Sequence, residues 1–438
     1  MKRIAVIGGG WAGCAAAVEL ARRGVSVSLF EAAKNLGGRA RMVELNGRRL
    51  DNGQHILLGA YAESLRLLDT VGLGASDVLL RLPLQMRYPP GSGGMDFVTP
   101  RLPAPWHMLA GLVRAKGLQR EDKMALARFS TTARWMDWRL HNDCSVGELL
   151  ERFDQTSRLV QLMWRPLCIA ALNTPPERAS AQVFLNVLRD SLGAKRSASD
   201  MLIPRVDLSA LFPSRAADFL ERHGGSVHCG VSVRRIVAAG SGWRLETGEA
   251  QTADNTPYDA VIVATSAWQA AGLLEGHAET ATLSSFAYEP ITTCFLQYPP
   301  QLRLAHPLLA LIDDGGKRHW GQFVFDRGHL DADQAGLLAV VVSASGEAIA
   351  DGHEALSAAV AAQLAEVFRR PELSSPLWSK VISEKRATFA CTPGLQRPSN
   401  ATGVAGLVLA GDYTAGDYPA TLESAVRSGR QAAQLVLE

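Results

Sequence analysis

Residues 3–39 read RIAVIGGGWAGCAAAVELARRGVSVSLFEAAKNLGGR, and the first thirty of them set the fold class. Arg3 to Ile7 is a short apolar run without alternation, the pattern of a parallel strand covered on both faces. Gly8, Gly10 and Gly13 follow with the spacing G-x-G-x-x-G, a run of small residues predicts a helix over Cys14–Arg23, and a second apolar run, Val25 to Phe30, ends at Glu31. Strand, glycine turn, helix and strand make a βαβ unit. Gly8 permits the tight turn, Gly10 lets backbone approach a pyrophosphate, and Gly13 lets the helix pack closely on the sheet. Trp11 and Ala12 lie between the last two glycines, at the helix N-terminus whose free N–H groups suit an anion. Glu31, eighteen residues past Gly13, sits where a carboxylate accepts from ribose hydroxyls. The reading is an α/β dinucleotide-binding domain.

The length of the dinucleotide is read from the two ends of the chain together. Leu36-Gly37-Gly38-Arg39 brings a second backbone approach and a cation to the same phosphates, with Arg41 as a further cation. Near the other terminus, Gly406 to Ala410 reads as another buried strand, Gly411-Asp412 as its exit, and Pro419 to Ala425 as the first turns of a helix. An aspartate at a strand's C-terminal end can hold a ribityl or phosphate oxygen. The helix N-terminus, at Ala420, Thr421 and Leu422, suits the negative edge of a reduced flavin. One cofactor that spans both glycine-rich ends is FAD, expected here without a covalent link.

The set GGGWAG, Glu31, LGGRA and AGD…PATLESAVRSG resembles the flavin amine-oxidase and phytoene-desaturase superfamily. Within it, LDNGQHILLGAYAESLRLL (50–68), RPLCIAALNTPPERASAQVFLNVLRDSL (165–192), DMLIPRVDLSALFP (200–213), EKRATFACTP (384–393) and GDYTAGDYPATLESAVRSGRQAA (411–433) are similar to the hydroxysqualene dehydroxylases of bacterial squalene and hopanoid synthesis. The resemblance implies a discontinuous Rossmann-like FAD domain over 1–80, 201–275 and 391–438, with an α+β isoprenoid-binding domain over 81–200 and 276–390. It also implies an adenine contact at Val233, in the V-x-x-I arrangement Val233 to Ile236 that ends the run Ser226–Ile236. A helix over Ser214–His223 and strands over Tyr258–Thr265 and Leu337–Val342 complete the reading, and YPPGSGG (88–94) reads as a loop.

For chemistry, the turn Asp51-Asn52-Gly53-Gln54-His55 follows LGGRA closely, which makes His55 the candidate proton donor. Lys385 and Arg386, then Tyr413 and Asp417, are further candidates, and Cys391 is expected to form no covalent link to the flavin. The implied reaction is reductive removal of an allylic hydroxyl, which needs a hydride, one proton and a water-excluding sleeve. Three alternatives stay open: a carotenoid or phytoene desaturase, a flavin amine oxidase with Tyr413 and Tyr418 as an aromatic cage, and a non-catalytic prenyl-binding escort.

Composition narrows the partners. A formal charge of +2 over 438 residues gives no general attraction to nucleic acid. Six cysteines without a C-x-x-C pair suggest a reducing cytoplasm and no zinc site. No signal peptide is read at the start, and no apolar run is long enough to span a bilayer. Between 101 and 140, however, eight Lys or Arg stand against three Asp or Glu, interleaved with Trp106, Trp135 and Trp138. Trp106, Leu109, Ala110 and Val113 share one helical face, so this segment is either a domain cap or a surface that meets anionic lipid, beside the synthases upstream.

Overall fold

The computed structural model describes residues 2–45, 47–248 and 256–438. In chain order, the elements that position the site begin with β1 (Arg3–Ile7), α1 (Trp11–Ala21) and β2 (Ser26–Glu31). α2 (Trp106–Arg114) and α3 (Arg120–Trp135) belong to a helical block. Then come β3 (Ser226–Cys229), β4 (Ala260–Val263), β5 (Tyr288–Gln297), β6 (Leu308–Ala310), β7 (Phe323–Asp326), β8 (Leu337–Ser343) and β9 (Trp378–Phe389). β10 (Leu407–Leu409) and α4 (Leu422–Leu435) close the chain.

The first sheet is parallel, in the order β3-β2-β1-β4-β10, so strands from both termini and the middle of the chain lie side by side. β1 is central and its Ile4, Ala5 and Val6 are fully buried, which explains the unbroken apolar run. α1 begins at Trp11, three residues before the expected start, because the Cys14 N–H already donates to the Gly10 carbonyl at 2.9 Å. The first turn therefore directly follows the glycine turn. α4 crosses α1 at closest approach through Gly429, where a Cβ would lie 2.1 Å from the Ala12 carbonyl oxygen. This crossing brings the C-terminal helix against the N-terminal turn.

The second sheet is antiparallel, in the order β6-β7-β8-β5-β9, and every residue of β8 is buried. One face carries the helix His353–Phe368, whose Leu356, Val360 and Leu364 join Leu296, Val324 and Val340 in a common core. The expected single run Ser226–Ile236 is two strands of different sheets: β3 ends at Cys229, Gly230 turns with φ 76°, and Val233–Ala239 pairs with Gly242–Thr247. The C-terminal helix starts at Leu422, so Pro419 precedes its N-cap Thr421 and does not open its first turn. Trp138, expected beside Trp106 and Trp135, is buried under the helical block.

Candidate active site

The turn after β1 is shaped by backbone. Gly8 has φ 105°, a conformation open to glycine, and a Cβ on Gly13 would lie 1.9 Å from the Gly8 carbonyl oxygen. Gly37 N donates to the Gly9 carbonyl at 2.8 Å, so the LGGRA loop lies on the first glycine turn. Glu31 at the end of β2 pins the same turn: its two carboxylate oxygens accept from Gly9 N at 2.7 Å and Ala33 N at 2.8 Å. Arg39 then joins the two ends of the chain. It donates to Asp412 Oδ2 at 2.7 Å and to the Ala387 carbonyl at 2.6 Å, and it lines the cavity. Arg41 donates to the Gly38 carbonyl.

At the C-terminal end, Thr421 caps α4 by accepting from Ser424 N at 3.1 Å. Arg397, which the sequence reading passed over, donates to the carbonyls of Asp412, Tyr413, Gly416 and Tyr418 and thereby holds the whole 412–418 loop. Its signal in sequence is nil, since a lone arginine before a proline has no pattern.

These pieces surround one continuous cavity of about 860 Å³. One end is lined by Gly8, Gly10, Trp11, Ala12, Glu31 and Val233, and the middle by Gly37, Gly38, Arg39, His55, Gly411 and Asp412 beside Ala420, Thr421 and Leu422. Gly13 lies beneath, in the contact between α1 and β1. The remaining walls are largely apolar, with Met86, Ile169, Phe184, Leu188, Phe323 and Val341 among them. Among the described residues no cluster of His, Cys, Asp and Glu could hold a metal ion.

His55 faces this cavity from a turn anchored by its neighbours. Asp51 Oδ1 accepts from Leu208 N at 2.8 Å, its carboxyl pushed up to about 6 by burial, and Gln54 accepts from the buried Arg327 at 3.0 Å. His55 Nδ1 is 3.1 Å from the Gly53 carbonyl, so the proton of the neutral ring sits on Nδ1 and Nε2 is the acceptor. Burial, and then the Arg39 charge, hold its pKa below the ordinary histidine value, while the Gly53 carbonyl pulls the other way.

Other candidates are not brought into the cavity. Lys385 and Arg386 are exposed, and Arg386 stacks over Trp268 at 4.6 Å. The cause is a bulge: Glu384 pairs with Ile291 and Thr388 with Glu289, so residues 385–387 face Pro290, which has no N–H to continue the ladder. Ile382, Glu384, Ala387 and Thr388 line the cavity instead. Glu384 and Thr388 are thus the polar residues of EKRATF that line the site. Tyr413 and Tyr418 are buried outside the lining, so they form no aromatic cage in it, and Tyr418 donates to Asp190 at 2.8 Å. Asp417 is exposed and pairs with Arg189 at 3.3 Å. Cys391 is buried outside the lining, its thiol pushed up to about 12 by burial.

A cradle that a single Cβ would fill, a carboxylate at the end of the second strand and a second helix N-terminus further along one cavity fit FAD. The chain belongs to the family of flavin-containing amine oxidoreductases, whose sequence profile matches residues 11–437, and it is an FAD-dependent oxidoreductase. More narrowly, it is 30% identical to a hydroxysqualene dehydroxylase of Rhodopseudomonas palustris, an alignment that covers 100% of this chain and 98% of that one. It is 24% identical to a zeta-carotene desaturase of a Synechocystis species, over 99% of this chain and 97% of the other. The structure of cyclohexylamine oxidase from Brevibacterium oxydans shares the fold, with a TM-score of 0.68, 18% identity and coverage of 99% and 98%.

Proposed function

We propose that this oxidoreductase converts hydroxysqualene to squalene, replacing an allylic hydroxyl by hydrogen. The observation that carries the reading is the single cavity that leads from a nucleotide cradle into a largely apolar sleeve. Similarity to the R. palustris hydroxysqualene dehydroxylase over the full chain supports the substrate. In this reading Gly8, Gly10, Trp11, Ala12, Gly37 and Gly38 present backbone to the pyrophosphate over the close helix packing that Gly13 permits, Arg39 adds a cation beside them, Glu31 shares its carboxylate with ribose, and Val233 meets adenine. Gly411, Asp412 and the Ala420–Leu422 turn meet the flavin end. FAD, when bound and reduced, supplies a hydride. His55 delivers the proton that lets the oxygen leave as water when the C–O bond breaks, and the hydride completes the new C–H bond. The apolar walls keep water from competing for the electron-deficient allylic carbon. Anaerobic incubation of the reduced enzyme with hydroxysqualene tests this: squalene is the expected product. Dehydrogenation of a polyene by the oxidised enzyme, with no squalene formed, would favour the desaturase reading.

The same reading gives the enzyme a peripheral place on a membrane. Trp106, Leu109 and Val113 on α2 and Met124 and Trp135 on α3 are all at least half exposed, while His107, Gly111 and Leu112 form the buried side of α2. That side rests on Val98 and Thr99, and Thr99 bonds to Leu84, a residue of the cavity wall. An apolar face of this kind, set among Arg101, Arg114, Arg120, Arg128 and Arg134, suits anionic lipid and lies next to the sleeve an isoprenoid would enter. Such a position would also bring the enzyme near the synthases that form its substrate. No helix among the described residues is long and apolar enough to cross a membrane.

A further inference from the structure

A second hollow, of about 760 Å³, lies apart from the cofactor cavity. It is formed by the hairpin of Gln85–Arg87 and Asp96–Val98, the turn after α2, the 303–306 loop and the end of helix His353–Phe368. The YPPGSGG loop, read from sequence as a connection only, contributes Tyr88, Pro89, Pro90, Gly91 and Gly94 to its wall.

The charges around it are unbalanced. Arg87, Lys116, Arg303 and Arg370 line the hollow with a single carboxylate, Asp96. Arg87 donates through Nη1 to His306 Nε2 at 2.6 Å, which requires that nitrogen to be unprotonated. Burial, and then the Arg87 charge, lower the His306 pKa and keep the ring neutral beside the cation. Arg87 Nε is buried with no hydrogen-bond partner, 3.6 Å from Asp96 Oδ1. Arg303 reaches Asp326 only at 3.9 Å, and Lys116 has no ion-pair partner among the described residues. Only Arg370 is closely paired, with Glu372 at 2.8 Å.

We propose that this hollow binds a phosphate-bearing anion. Guanidinium and ammonium donors around one space match the oxygens of a phosphate, and an anion of charge −2 offsets the excess of cations that lines the hollow. Met95, Leu304, Leu309 and Phe368 give the same hollow apolar walls, which accommodate a hydrocarbon part attached to the phosphate. Two sources carry that chemistry: a free diphosphate in solution, or the headgroup of an anionic phospholipid. Lys116 lies three residues beyond Val113 on the exposed face of α2, within reach of a bilayer docked there. The site takes no part in the redox reaction and goes beyond the function proposed above.

Full-length FAD-loaded protein is titrated with inorganic diphosphate by calorimetry, and floated with vesicles of phosphatidylglycerol or phosphatidylcholine. The double variant Lys116→Gln/Arg303→Gln should weaken the anion's binding by about tenfold or more while flavin content and melting temperature stay unchanged. A loss confined to diphosphate marks the free anion as ligand; a loss confined to phosphatidylglycerol vesicles marks the headgroup. Trp106→Ser/Leu109→Ser should lower flotation with both vesicle types and leave diphosphate binding intact. If it lowers neither, the membrane reading fails and the anion site stands. Binding of both probes equal in the parent and the Lys116→Gln/Arg303→Gln variant, or no binding of either, overturns the proposal.

Discussion

The two ends of the cofactor cavity are built by opposite means. At the nucleotide end, backbone makes the site: Gly8, Gly10, Gly13, Gly37 and Gly38 leave space, N–H groups of α1 are free, and Glu31 ties the turn through Gly9 and Ala33. At the reaction end, side chains from distant segments make it: His55 from a turn, Phe184 and Leu188 from a helix, Phe323 and Val341 from one sheet, and Glu384 beside a bulge. A backbone site tolerates almost no added atom. A site of apolar side chains tolerates exchange of volume and is sensitive to its few polar groups. The contrast means that the cradle holds the cofactor end fixed while the walls of the reaction end are free to vary in shape.

The largest expected effect breaks the backbone end. Gly13→Val should abolish flavin retention, because its first side-chain carbon alone falls 1.9 Å from the Gly8 carbonyl oxygen. The flavin absorbance of the folded variant checks it, and near-normal occupancy would show that the two ends do not differ as described.

Next comes the polar group of the reaction end. His55→Gln should lower kcat for dehydroxylation by roughly 10²- to 10⁴-fold with flavin content unchanged, the usual range for a lost proton donor. The pH profile sharpens this. The donor must be the imidazolium, and burial lowers the His55 pKa from its ordinary value, so the active form is scarce at neutrality and grows as pH falls. The parent's kcat/KM should therefore drop about tenfold per pH unit through neutrality, and the slope should vanish in His55→Gln.

A smaller effect concerns how substrate arrives at the apolar end. Trp106→Ser/Leu109→Ser removes two side chains that are 60% and 50% exposed. Their exposed parts would contribute about 2 kcal/mol on insertion, so turnover of bilayer-held substrate should fall about thirtyfold. Turnover in detergent and the melting temperature should hold, and equal losses in both media would assign the face to packing.

The smallest effect is at the nucleotide end again. Glu31→Gln keeps size but turns an amide N–H toward one of two backbone donors, Gly9 N or Ala33 N. FAD affinity, titrated on apoprotein, should weaken by about tenfold. No change would remove Glu31 from the ribose contact.

What the sequence makes legible follows the same division. A glycine turn between two buried strands is local, and 3–39 carries all of it in one stretch. The companion stretch at 406–425 is equally readable, though not the crossing that joins them, because Gly429 looks like any small residue in a helix until Ala12 is found against it. At the reaction end, EKRATF pointed to Lys385 and Arg386 because a cation is conspicuous in a strand, but the bulge opposite Pro290 turns both outward and leaves Glu384 inside. The pairing partner that sets this parity is nearly a hundred residues away in sequence. Arg397 stayed hidden for a related reason: its four partners are backbone carbonyls, which carry no residue signature.

Whether one cavity joins bound FAD to an allylic alcohol can be decided by single-turnover mixing without oxygen. Photoreduced enzyme is mixed with excess hydroxysqualene, flavin absorbance near 450 nm is followed (the oxidised flavin band), and squalene is counted after quenching. The oxidised flavin band should return in step with product, with about one squalene formed per flavin oxidised. A flavin that stays reduced while hydroxysqualene is recovered intact would contradict it.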